Sequence, residues 1–271
     1  MILFPNCKLN LGLNILQKRE DGYHDIETVF FPLPFYDALE IVTSGTKSIF
    51  TNNGISGGNA ADNLCMKAYQ LLKNDYPHLP EVKIHLHKTI PVGAGLGGGS
   101  ADAAFTILLL NQKYNLQIPE NKLFEYALLL GSDCPYFLLN KPAFATGRGE
   151  ILEEINLSLS KYKILIVNPG IHISTKELFA EISPAIPAKH IREIILQPIQ
   201  TWKNELTNDF EMIAFSKYPS LQKIKESMYD ANAIYSSMTG TGSTIFGLFN
   251  ADEKIDLVFE KEYFHKWIYP F

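Results

Sequence analysis

The residues best suited to chemistry lie in a glycine-rich stretch, PVGAGLGGGSA at 91–101. Five glycines, at positions 93, 95, 97, 98 and 99, remove side chains where a backbone must approach a ligand closely or take a positive φ. The helical pattern of residues 102–113 follows at once, and Ser100 is in position to cap that helix. A loop that ends at a helix N-terminus presents unpaired N–H groups and the positive end of the helix dipole. The stretch therefore predicts a cradle for a nucleotide phosphate.

Three familiar phosphate-binding motifs fit this stretch less well. G-x-G-x-x-G is matched at Gly93, Gly95 and Gly98, but no acidic residue ends a second strand about twenty residues later, and Pro91 interrupts the approach. A P-loop requires Gly-Lys-Ser/Thr, whereas the glycines here run directly into Ser100. The V-A-I-K, H-R-D and D-F-G segments of protein kinases are absent. A dinucleotide-dependent oxidoreductase, a P-loop enzyme and a protein kinase are therefore disfavoured.

Two strands and a loop come before the glycine-rich stretch. From residue 7 to residue 16 polar and apolar side chains alternate, which predicts a half-buried strand whose polar face carries Lys8 and Asn10 together. A strand lysine is, taken alone, most often a solubilising surface residue. Strands are expected at 28–33 and 38–43, a loop at 46–61, a helix capped by Asp62 and Asn63, and a strand at 82–86. His85 and His87 share a face of that last strand and are expected to be surface residues.

The chain after the central helix alternates between helices and strands. Pro119 opens a helix that Gly131 ends, Asp133 follows as a turn residue when taken alone, and an apolar strand is expected at 136–139. A glycine turn is expected at 145–150. The expected later elements are a strand at 162–167, a capping box at 174–177 with its helix, helices at 189–196, 209–215 and 220–231, strands at 233–238 and 244–249 around a turn at 239–243, a helix at 253–262 and a strand at 266–269. This mixture predicts an α+β fold with largely antiparallel sheets, in two domains at 1–158 and 159–271.

Composition limits the class of partner. The chain has 271 residues, a hydrophobic fraction of 46%, a charged fraction of 20% and a net charge of −5, so polyanions such as nucleic acids and membrane surfaces are disfavoured. Cys7, Cys65 and Cys134 are widely spaced without a C-x-x-C pair, which predicts reduced, partly buried thiols. The first residues lack a signal-peptide pattern, and no apolar run is long enough to span a bilayer. We expect a cytoplasmic monomer or weak homodimer that binds small molecules.

Several separated motifs occur in a characteristic order. KLNL at 8–11, the glycine-rich stretch at 91–101 and TGTGS at 239–243 together resemble the GHMP kinases, the superfamily of galactokinase, homoserine kinase, mevalonate kinase and phosphomevalonate kinase. Within it the chain resembles the family that phosphorylates the 2-hydroxyl of 4-diphosphocytidyl-2-C-methyl-D-erythritol. The segments that carry this closer resemblance are DGYH at 21–24, DNL at 62–64, LGSDCPYFL at 130–138, GRGE at 147–150 and NPG at 168–170. The chain departs from the pattern with Cys7 where alanine is common and Ala101 where many relatives have a second serine.

The resemblance implies a GHMP-kinase-like fold, with an N-terminal ribosomal-protein-S5-like domain and a C-terminal ferredoxin-like domain. It implies that ATP, accompanied by Mg²⁺, donates its γ-phosphate to give the 2-phosphate and ADP in the non-mevalonate route to isopentenyl diphosphate. The catalytic pair falls by resemblance on Lys8 and Asp133, with Asp133 as the general base and Lys8 beside it. We therefore expect catalytic roles for both residues, although their local patterns alone favour a surface role for Lys8 and a turn role for Asp133.

The resemblance also implies a set of binding residues. Those for the nucleotide are Asn63, Pro91, Val92, Gly93, Ala94, Gly95, Leu96, Gly97, Gly98, Gly99, Ser100 and Ala101, with Ser100 as the candidate Mg²⁺ ligand. Those for the substrate are Asn10, Tyr23, His24, Thr175 and Phe179. Tyr23 and Phe179 would stack on cytosine while His24 bonds its edge, although two such rings are, taken alone, more often core aromatics. Asp102 in the helix's first turn would repel phosphate, so it must point away or meet a cation.

Two alternative functions stay open at this point. Another GHMP kinase, of the homoserine or mevalonate type, would use the same nucleotide chemistry with a different acceptor. DGYH and Phe179 weigh against it, because a small acyclic acceptor offers no base to stack on. A non-catalytic nucleotide-binding protein is the other alternative, and it would have no use for Lys8 and Asp133.

Overall fold

The computed structural model of this protein describes residues 1–55 and 63–270. Its contacts divide the chain into two compact units. The first unit comprises Met1–Cys7, Phe35–Val92 and Gly97–Asn140, and the second comprises Lys8–Pro34, Gly93–Leu96 and Lys141–Phe271. The strands are β1 Ile2–Leu3, β2 Asn6–Lys18, β3 His24–Tyr36, β4 Ala38–Thr43, β5 Ile49–Gly54, β6 Val82–Lys88, β7 Ala143–Thr146, β8 Ile151–Glu154, β9 Tyr162–Asn168, β10 Tyr235–Met238, β11 Ile245–Asn250 and β12 Phe264–Ile268.

Helices follow or separate these strands, as an α+β fold requires. They are α1 Leu64–Asp75, α2 Gly98–Lys113, α3 Glu120–Leu130, α4 Tyr136–Leu139, α5 Thr175–Glu181, α6 Ile191–Ile195, α7 Trp202–Glu205, α8 Phe210–Lys217 and α9 Pro219–Asp230. Among the described residues none of these helices has the length and hydropathy needed to cross a bilayer. The predicted α+β class is confirmed.

The first unit contains a four-stranded sheet in the order β1-β4-β6-β5. β4 runs antiparallel to both β1 and β6, whereas β5 pairs with β6 in parallel, with Ile49 opposite Lys83. Inward residues of β4 and β6 pack with α1, α2 and α3 into one apolar core, which includes Leu39, Ile84, Leu72 and Ile107. The glycine-rich stretch leaves this sheet after β6 and enters α2, so the core fixes both of its ends.

The second unit contains two sheets. One has the order β10-β11-β9-β12, in which β9 and β10 each run antiparallel to β11 and β12 runs antiparallel to β9. The other has the order β2-β3-β7-β8, and most of β2 and β3 lies within this unit. Leu13, Ile15 and Ile26 of β2 and β3 share an apolar core with residues of β9, α8, α9 and β11. Main-chain bonds strengthen this association, from Leu13 N–H to the Thr207 carbonyl at 2.9 Å and from Asp209 N–H to the Leu13 carbonyl at 2.9 Å. The opening strand is therefore part of the same unit as the C-terminal half.

β2 is buried on both faces, so the expectation of a half-buried strand was wrong. Lys8, Asn10 and Asn14 on its polar face are between 2% and 5% exposed. Their polar atoms have partners in the second unit, as when Asn14 donates to the buried Glu27 at 2.9 Å. Gly12 leaves room for Leu206, because a Cβ there would lie 2.6 Å from the Leu206 Cδ1 atom. The alternation of polar and apolar residues identified the apolar face of β2 correctly, but it could not show that the polar face is buried as well.

Three further expectations were wrong, each for a local reason. The predicted loop at 46–61 contains the edge strand β5, which main-chain bonds to β6 define although its side chains are mostly exposed. Residues 136–139 form one helical turn rather than a strand, closed by Asn140 in the left-handed region at φ 50°. Residues 253–260 form no helix, and Ile255, Leu257 and Phe259 contact the core at every second position. The domain boundary between residues 158 and 159 stays a prediction.

Candidate functional site

The glycine-rich loop has the backbone that a phosphate cradle needs. Gly93, Gly95 and Gly97 have φ of +64°, +77° and +70°, values in the left-handed region that L side chains rarely adopt. Gly97 is the N-cap of α2, and its carbonyl accepts from the Ala101 N–H at 2.9 Å. Because α2 begins at Gly98, Ser100 lies inside the first turn, and its expected role as the N-cap was wrong. The sixteen-residue helix presents the N–H groups of its first turn at this end.

In the second unit, the middle of the loop packs against the TGTGS turn. A Cβ at Gly95 would lie 2.0 Å from the Thr239 carbonyl oxygen, so no side chain fits at this position. The Thr239 hydroxyl donates to the Gly95 carbonyl at 3.2 Å, and the Thr244 N–H donates to the Ala94 carbonyl at 3.3 Å. The turn itself is held by Asn208, which donates to the carbonyls of Met238 and Gly240 at 2.8 and 2.9 Å. The two motifs are therefore brought together in one unit.

Lys8 and Asn10 are also brought together in the second unit, as the strand register predicted. The Lys8 ammonium donates to the Asn10 side-chain carbonyl and lies 4.9 Å from the centre of the Phe30 ring. Asn10 is fixed by two more hydrogen bonds, from its N–H to the Thr239 hydroxyl at 2.9 Å and from its amide to the Thr28 hydroxyl at 3.1 Å. With Lys8 only 2% exposed, its interpretation as a solubilising residue is excluded.

Asp133 lies in the first unit, on the turn between α3 and α4, and is partly exposed. The next residue, Cys134, is buried, and its N–H donates to the Gly131 carbonyl at 3.1 Å. Burial raises the pKa of the Cys134 thiol to about 12, which a hydrogen bond with Ser100 opposes and the Asp133 carboxylate reinforces. Ser100, Cys134 and Asp133 are thus neighbours in this unit, and Cys134 is a neutral thiol at physiological pH.

Asp102 meets a cation, which resolves the difficulty that its position raised. Lys88, at the end of β6, donates to Asp102 at 2.8 Å and to Asp37, and we call these residues the Asp37–Lys88–Asp102 triad. All three side chains are at most 5% exposed. Burial raises the pKa of Asp102 to about 7 despite Lys88, and Asp37 acts in the same direction. Although burial alone would lower it, the two carboxylates raise the pKa of Lys88 above its ordinary value.

Asn63 caps α1, as predicted. Its side-chain carbonyl accepts from the Cys65 N–H at 2.8 Å, and its own carbonyl accepts from Lys67 at 3.2 Å. Asp62, the other predicted cap, lies outside the described residues. A Cβ at Gly99 of α2 would lie 3.9 Å from Leu64, the first residue of α1, so the start of α1 adjoins the first turn of α2.

Two of the three candidate residues for binding the base contact each other in the second unit. His24 and Phe179 are stacked, with ring centres 4.9 Å apart and planes at 28°, and Phe179 also meets Phe210 edge to face at 4.9 Å. Burial and the nearby Lys18 lower the pKa of His24, so its ring is neutral at physiological pH. Tyr23 is 52% exposed, and its ring lies against the Arg148 guanidinium at 4.4 Å.

Thr175 lies at the start of α5, beside the TGTGS turn in the second unit. Its hydroxyl is 3.0 Å from the hydroxyl of Thr241. Ser174 caps the helix by accepting from the Glu177 N–H at 3.3 Å, as the capping box predicted. His85 and His87 bond to neighbouring side chains of β5, and the described residues contain no cluster of three metal-ligating His, Cys, Asp or Glu side chains.

Several residues around these candidates had no assigned role from the sequence. Thr239 and Arg148 belong to motifs that the resemblance used, TGTGS and GRGE, but their contacts depend on distant parts of the chain. The sequence offered a single indication of Lys88, which was that Asp102 must point away from the phosphate or meet a cation, and it offered none of Asp37. Asp37 is 65 positions from Asp102 in the sequence, so only the fold could identify it.

Comparison with known proteins identifies the family. A sequence model described as the GHMP kinases N terminal domain matches residues 63–141, and one described as GHMP kinases C terminal matches residues 191–261. A 4-diphosphocytidyl-2-C-methyl-D-erythritol kinase of Bacteroides fragilis is 49% identical over 259 residues, which is 94% of each chain. The alignment with this relative includes nearly the whole chain, and the two family models match a region in each half of it.

Solved structures agree with this relationship. The crystal structure of a 4-(cytidine 5'-diphospho)-2C-methyl-D-erythritol kinase is 32% identical with a TM-score of 0.75, and the match covers 92% of this chain and 90% of that one. The mevalonate kinase of Methanococcus jannaschii is 16% identical with a TM-score of 0.67 over 92% and 90% of the two chains, so it shares the fold alone. The chain belongs to the GHMP kinases and, within them, to the family of the 4-diphosphocytidyl-2-C-methyl-D-erythritol kinases.

Proposed function

We propose that this protein transfers the γ-phosphate of ATP to the 2-hydroxyl of 4-diphosphocytidyl-2-C-methyl-D-erythritol, giving the 2-phosphate and ADP in the non-mevalonate route to isopentenyl diphosphate. The observation that carries the proposal is the 49% identity, over 94% of both chains, to a relative that bears the name of that kinase. The geometry of each unit supports individual parts of the reaction.

The glycine-rich loop supplies the nucleotide site. Gly93, Gly95 and Gly97 have left-handed φ values and no side chains, so the loop backbone can approach a phosphate closely. The first turn of α2 adds unpaired N–H groups and the positive end of a sixteen-residue helix. The α- and β-phosphates of ATP bind there, while Asn63 at the start of α1 lies near the nucleoside. Because Gly95 is packed against Thr239, the loop is held in this shape before the nucleotide arrives.

Phosphoryl transfer requires mainly alignment of donor and acceptor and compensation of charge on the moving group. Asp133 accepts the proton of the attacking 2-hydroxyl, and Lys8 offsets charge on the γ-phosphate. Asn10 holds Lys8 and orients the acceptor hydroxyls. The hydrogen bonds of Asn10 to Thr239 and Thr28 keep this group rigid, which suits a positioning role.

Mg²⁺ accompanies ATP and is held largely by phosphate oxygens and water, so the protein needs to provide only one or two oxygen ligands. The Ser100 hydroxyl, in the first turn of α2, is an oxygen donor of the type that this ion prefers. When bound, the ion neutralises phosphate charge.

The cytidine end of the substrate suits the aromatic group of the second unit. A neutral His24 can both donate and accept, which matches the mixed hydrogen-bonding edge of cytosine. Phe179 lies directly on His24, and the half-exposed Tyr23 offers a second ring for stacking. Thr175 provides a hydroxyl beside the TGTGS turn for the polar part of the substrate.

The proposal is tested by incubating the protein with ATP, Mg²⁺ and the cytidylated methylerythritol. A mass increase of one phosphate on the substrate, with release of ADP, is the expected result. Homoserine and mevalonate serve as competing acceptors in parallel reactions. Turnover of either in preference to the cytidylated compound would make this another GHMP kinase, and nucleotide binding without turnover of any acceptor would make it a non-catalytic binding protein.

A further inference from the structure

The Asp37–Lys88–Asp102 triad lies at the base of the glycine-rich loop in the first unit. Its middle member, Lys88, ends β6 just before the loop, and Asp102 lies in the first turns of α2 just after it. The ion pair between them, at 2.8 Å, therefore joins the chain entering the loop to the chain leaving it. Contact at this point is close, because a Cβ at Gly98 would lie 2.9 Å from Ile90 and 3.3 Å from the Lys88 ammonium.

Asp37 holds the entering chain in three ways. One carboxylate oxygen accepts from the N–H groups of Thr89 and Ile90, at 2.6 and 3.0 Å, and the other accepts from Lys88. Thr89 and Ile90 are the two residues that lead into Pro91 and the glycines. Asp37 is itself anchored, because its N–H donates to the Pro5 carbonyl at 2.8 Å. The direction of the chain at the start of the loop is thus set by one buried carboxylate.

Stability alone gives a weak reason for such an arrangement. Removing charges from water is costly, and an apolar cluster of similar volume is often as stable as a buried ion pair or more so. The cost is visible here, because the second carboxylate oxygen of Asp102 is buried and has no hydrogen-bond partner among the described residues. What the triad adds over an apolar cluster is a fixed direction for the backbone on both sides of the loop.

We propose that Asp37 is a positioning residue for the nucleotide: through Lys88 and the N–H groups of Thr89 and Ile90, it holds the two ends of the glycine-rich loop so that the loop amides are aligned before phosphate binds. This inference rests on the proposed function, since it takes the loop as the nucleotide site. Asp37 is 1% exposed and acts through the loop, without contacting the nucleotide.

Three variants separate positioning from general stability. Asp37→Ala removes both the charge and the acceptor for the two N–H groups. Asp37→Asn keeps an acceptor oxygen for those groups but loses the charge that faces Lys88. Leu72→Ala is the matched control, because Leu72 is fully buried in the core of the same unit and its truncation lowers stability without touching the triad.

The dissociation constant of ADP with Mg²⁺ is measured by calorimetry for each variant, together with Tm and the KM of the acceptor. We expect Asp37→Ala to weaken ADP binding by about tenfold or more, since it removes the acceptor of the Thr89 and Ile90 N–H groups and one of the two carboxylates paired with Lys88. Asp37→Asn should weaken it by about threefold, and both should leave the KM of the acceptor within about twofold. Leu72→Ala should lower Tm but bind ADP within about twofold of the unaltered protein.

If Asp37→Ala and Asp37→Asn lower Tm as Leu72→Ala does and bind ADP as the unaltered protein does, the inference is overturned and the triad is structural only. If Asp37→Ala does not fold, the comparison of Asp37→Asn with Leu72→Ala decides in the same way. An unaltered protein that does not bind ADP would instead refute the proposed function, and with it the premise of this inference.

Discussion

Two carboxylates of the first unit have opposite environments and suit opposite tasks. Asp133 is partly exposed on the turn after α3, where a substrate hydroxyl can reach it. Asp102 is 3% exposed and is paired with Lys88, so it cannot meet a substrate directly. A general base must come within hydrogen-bond distance of the proton that it removes. Of the two, we therefore propose Asp133 as the base.

Replacement of Asp133 by asparagine tests this assignment. We expect Asp133→Asn to reduce kcat by about 10²–10⁴-fold, because the amide cannot accept the hydroxyl proton. Binding of ADP should be nearly unchanged, since Asp133 has no assigned contact with the nucleotide. The measurements are ADP release and calorimetric binding, with Asp230→Asn on the exposed end of α9 as the control. A variant that keeps full turnover would exclude Asp133 as the base.

The titration of Asp102 predicts a pH dependence of stability. Because burial raises its pKa from 3.8 to about 7, the folded protein binds more protons than the unfolded chain between these values. The contribution of Asp102 to the free energy of unfolding should therefore fall as pH rises from about 4 to about 7. Asp102→Asn, which resembles the protonated form, should flatten this slope in urea unfolding measured across that range.

His190 contributes with the same sign and must be separated from Asp102. A hydrogen bond to Glu27 raises the pKa of His190, so its stabilising contribution is present below its ordinary value of 6.5 and is lost as pH rises through the folded value. His190→Gln therefore removes a part of the slope that Asp102→Asn leaves. Because the histidine acts mainly above about pH 6.5, a slope below that value that is unchanged in Asp102→Asn would refute its assignment to Asp102.

Tyr23 gives the cleanest test of how the base is bound. Phe179 also packs on Phe210, so its truncation would damage the core, whereas Tyr23 is half exposed. We expect Tyr23→Ala to raise the KM of the cytidylated substrate by about tenfold, the loss of one stacking contact of about 1–3 kcal/mol, with the KM of ATP unchanged. Tyr23→Phe, which keeps the ring, should behave as the unaltered enzyme. An equal rise in both KM values in Tyr23→Ala would contradict this placement.

At the scale of elements, the glycines of the loop are not equivalent. Gly95 has φ +77° and leaves no room for a Cβ beside Thr239. Gly99 lies in the first turn of α2, where an added Cβ would lie 3.9 Å from Leu64. Gly95→Ala should lower the free energy of unfolding by about 2 kcal/mol or more, from backbone strain and overpacking. Gly99→Ala should leave it unchanged or raise it by about 0.5–1 kcal/mol, because alanine favours the helix. Urea unfolding of the two variants side by side checks the contrast.

The sequence predicted elements well where side-chain pattern and backbone structure coincide. α1 with its Asn63 cap, α3 ending at Gly131 and β9 follow from capping residues and apolar periodicity. β5 could not be predicted in this way, since its side chains are mostly exposed and only its main-chain bonds to β6 define it. The segment 253–260 did carry a usable signal, because Ile255, Leu257 and Phe259 alternate as an extended chain requires.

The candidate site was predictable in its residue types but not in its supports. Lys8 and Asn10 follow from strand register, and the loop from its glycines. The main chain at Asn10 is held by a residue more than two hundred positions later, Thr239, which no local pattern identifies. The Asp37–Lys88–Asp102 triad also joins distant segments, because its members come from β6, α2 and the junction of β3 with β4. Contacts between distant segments are what the sequence alone leaves undetermined.

At the scale of the whole molecule, the second unit is assembled from both ends of the chain. We expect residues 159–271, produced alone, to lack a cooperative fold, because Leu13, Ile15 and Ile26 would be missing from their core. Near-ultraviolet circular dichroism and urea unfolding of this fragment, compared with the full chain, measure the effect. A sigmoidal unfolding curve for the fragment would show that the boundary between residues 158 and 159 marks an independent domain.

The distribution of cysteines provides a probe that needs no engineering. All three, Cys7, Cys65 and Cys134, are fully buried in the first unit, and burial raises the thiol pKa of Cys65 and Cys134. A buried neutral thiol reacts with an alkylating reagent only after the surrounding structure opens. For Cys65 and Cys134, the rate of labelling by iodoacetamide therefore reports transient opening of the first unit. Slower labelling with ADP present would report how strongly a ligand holds that unit closed.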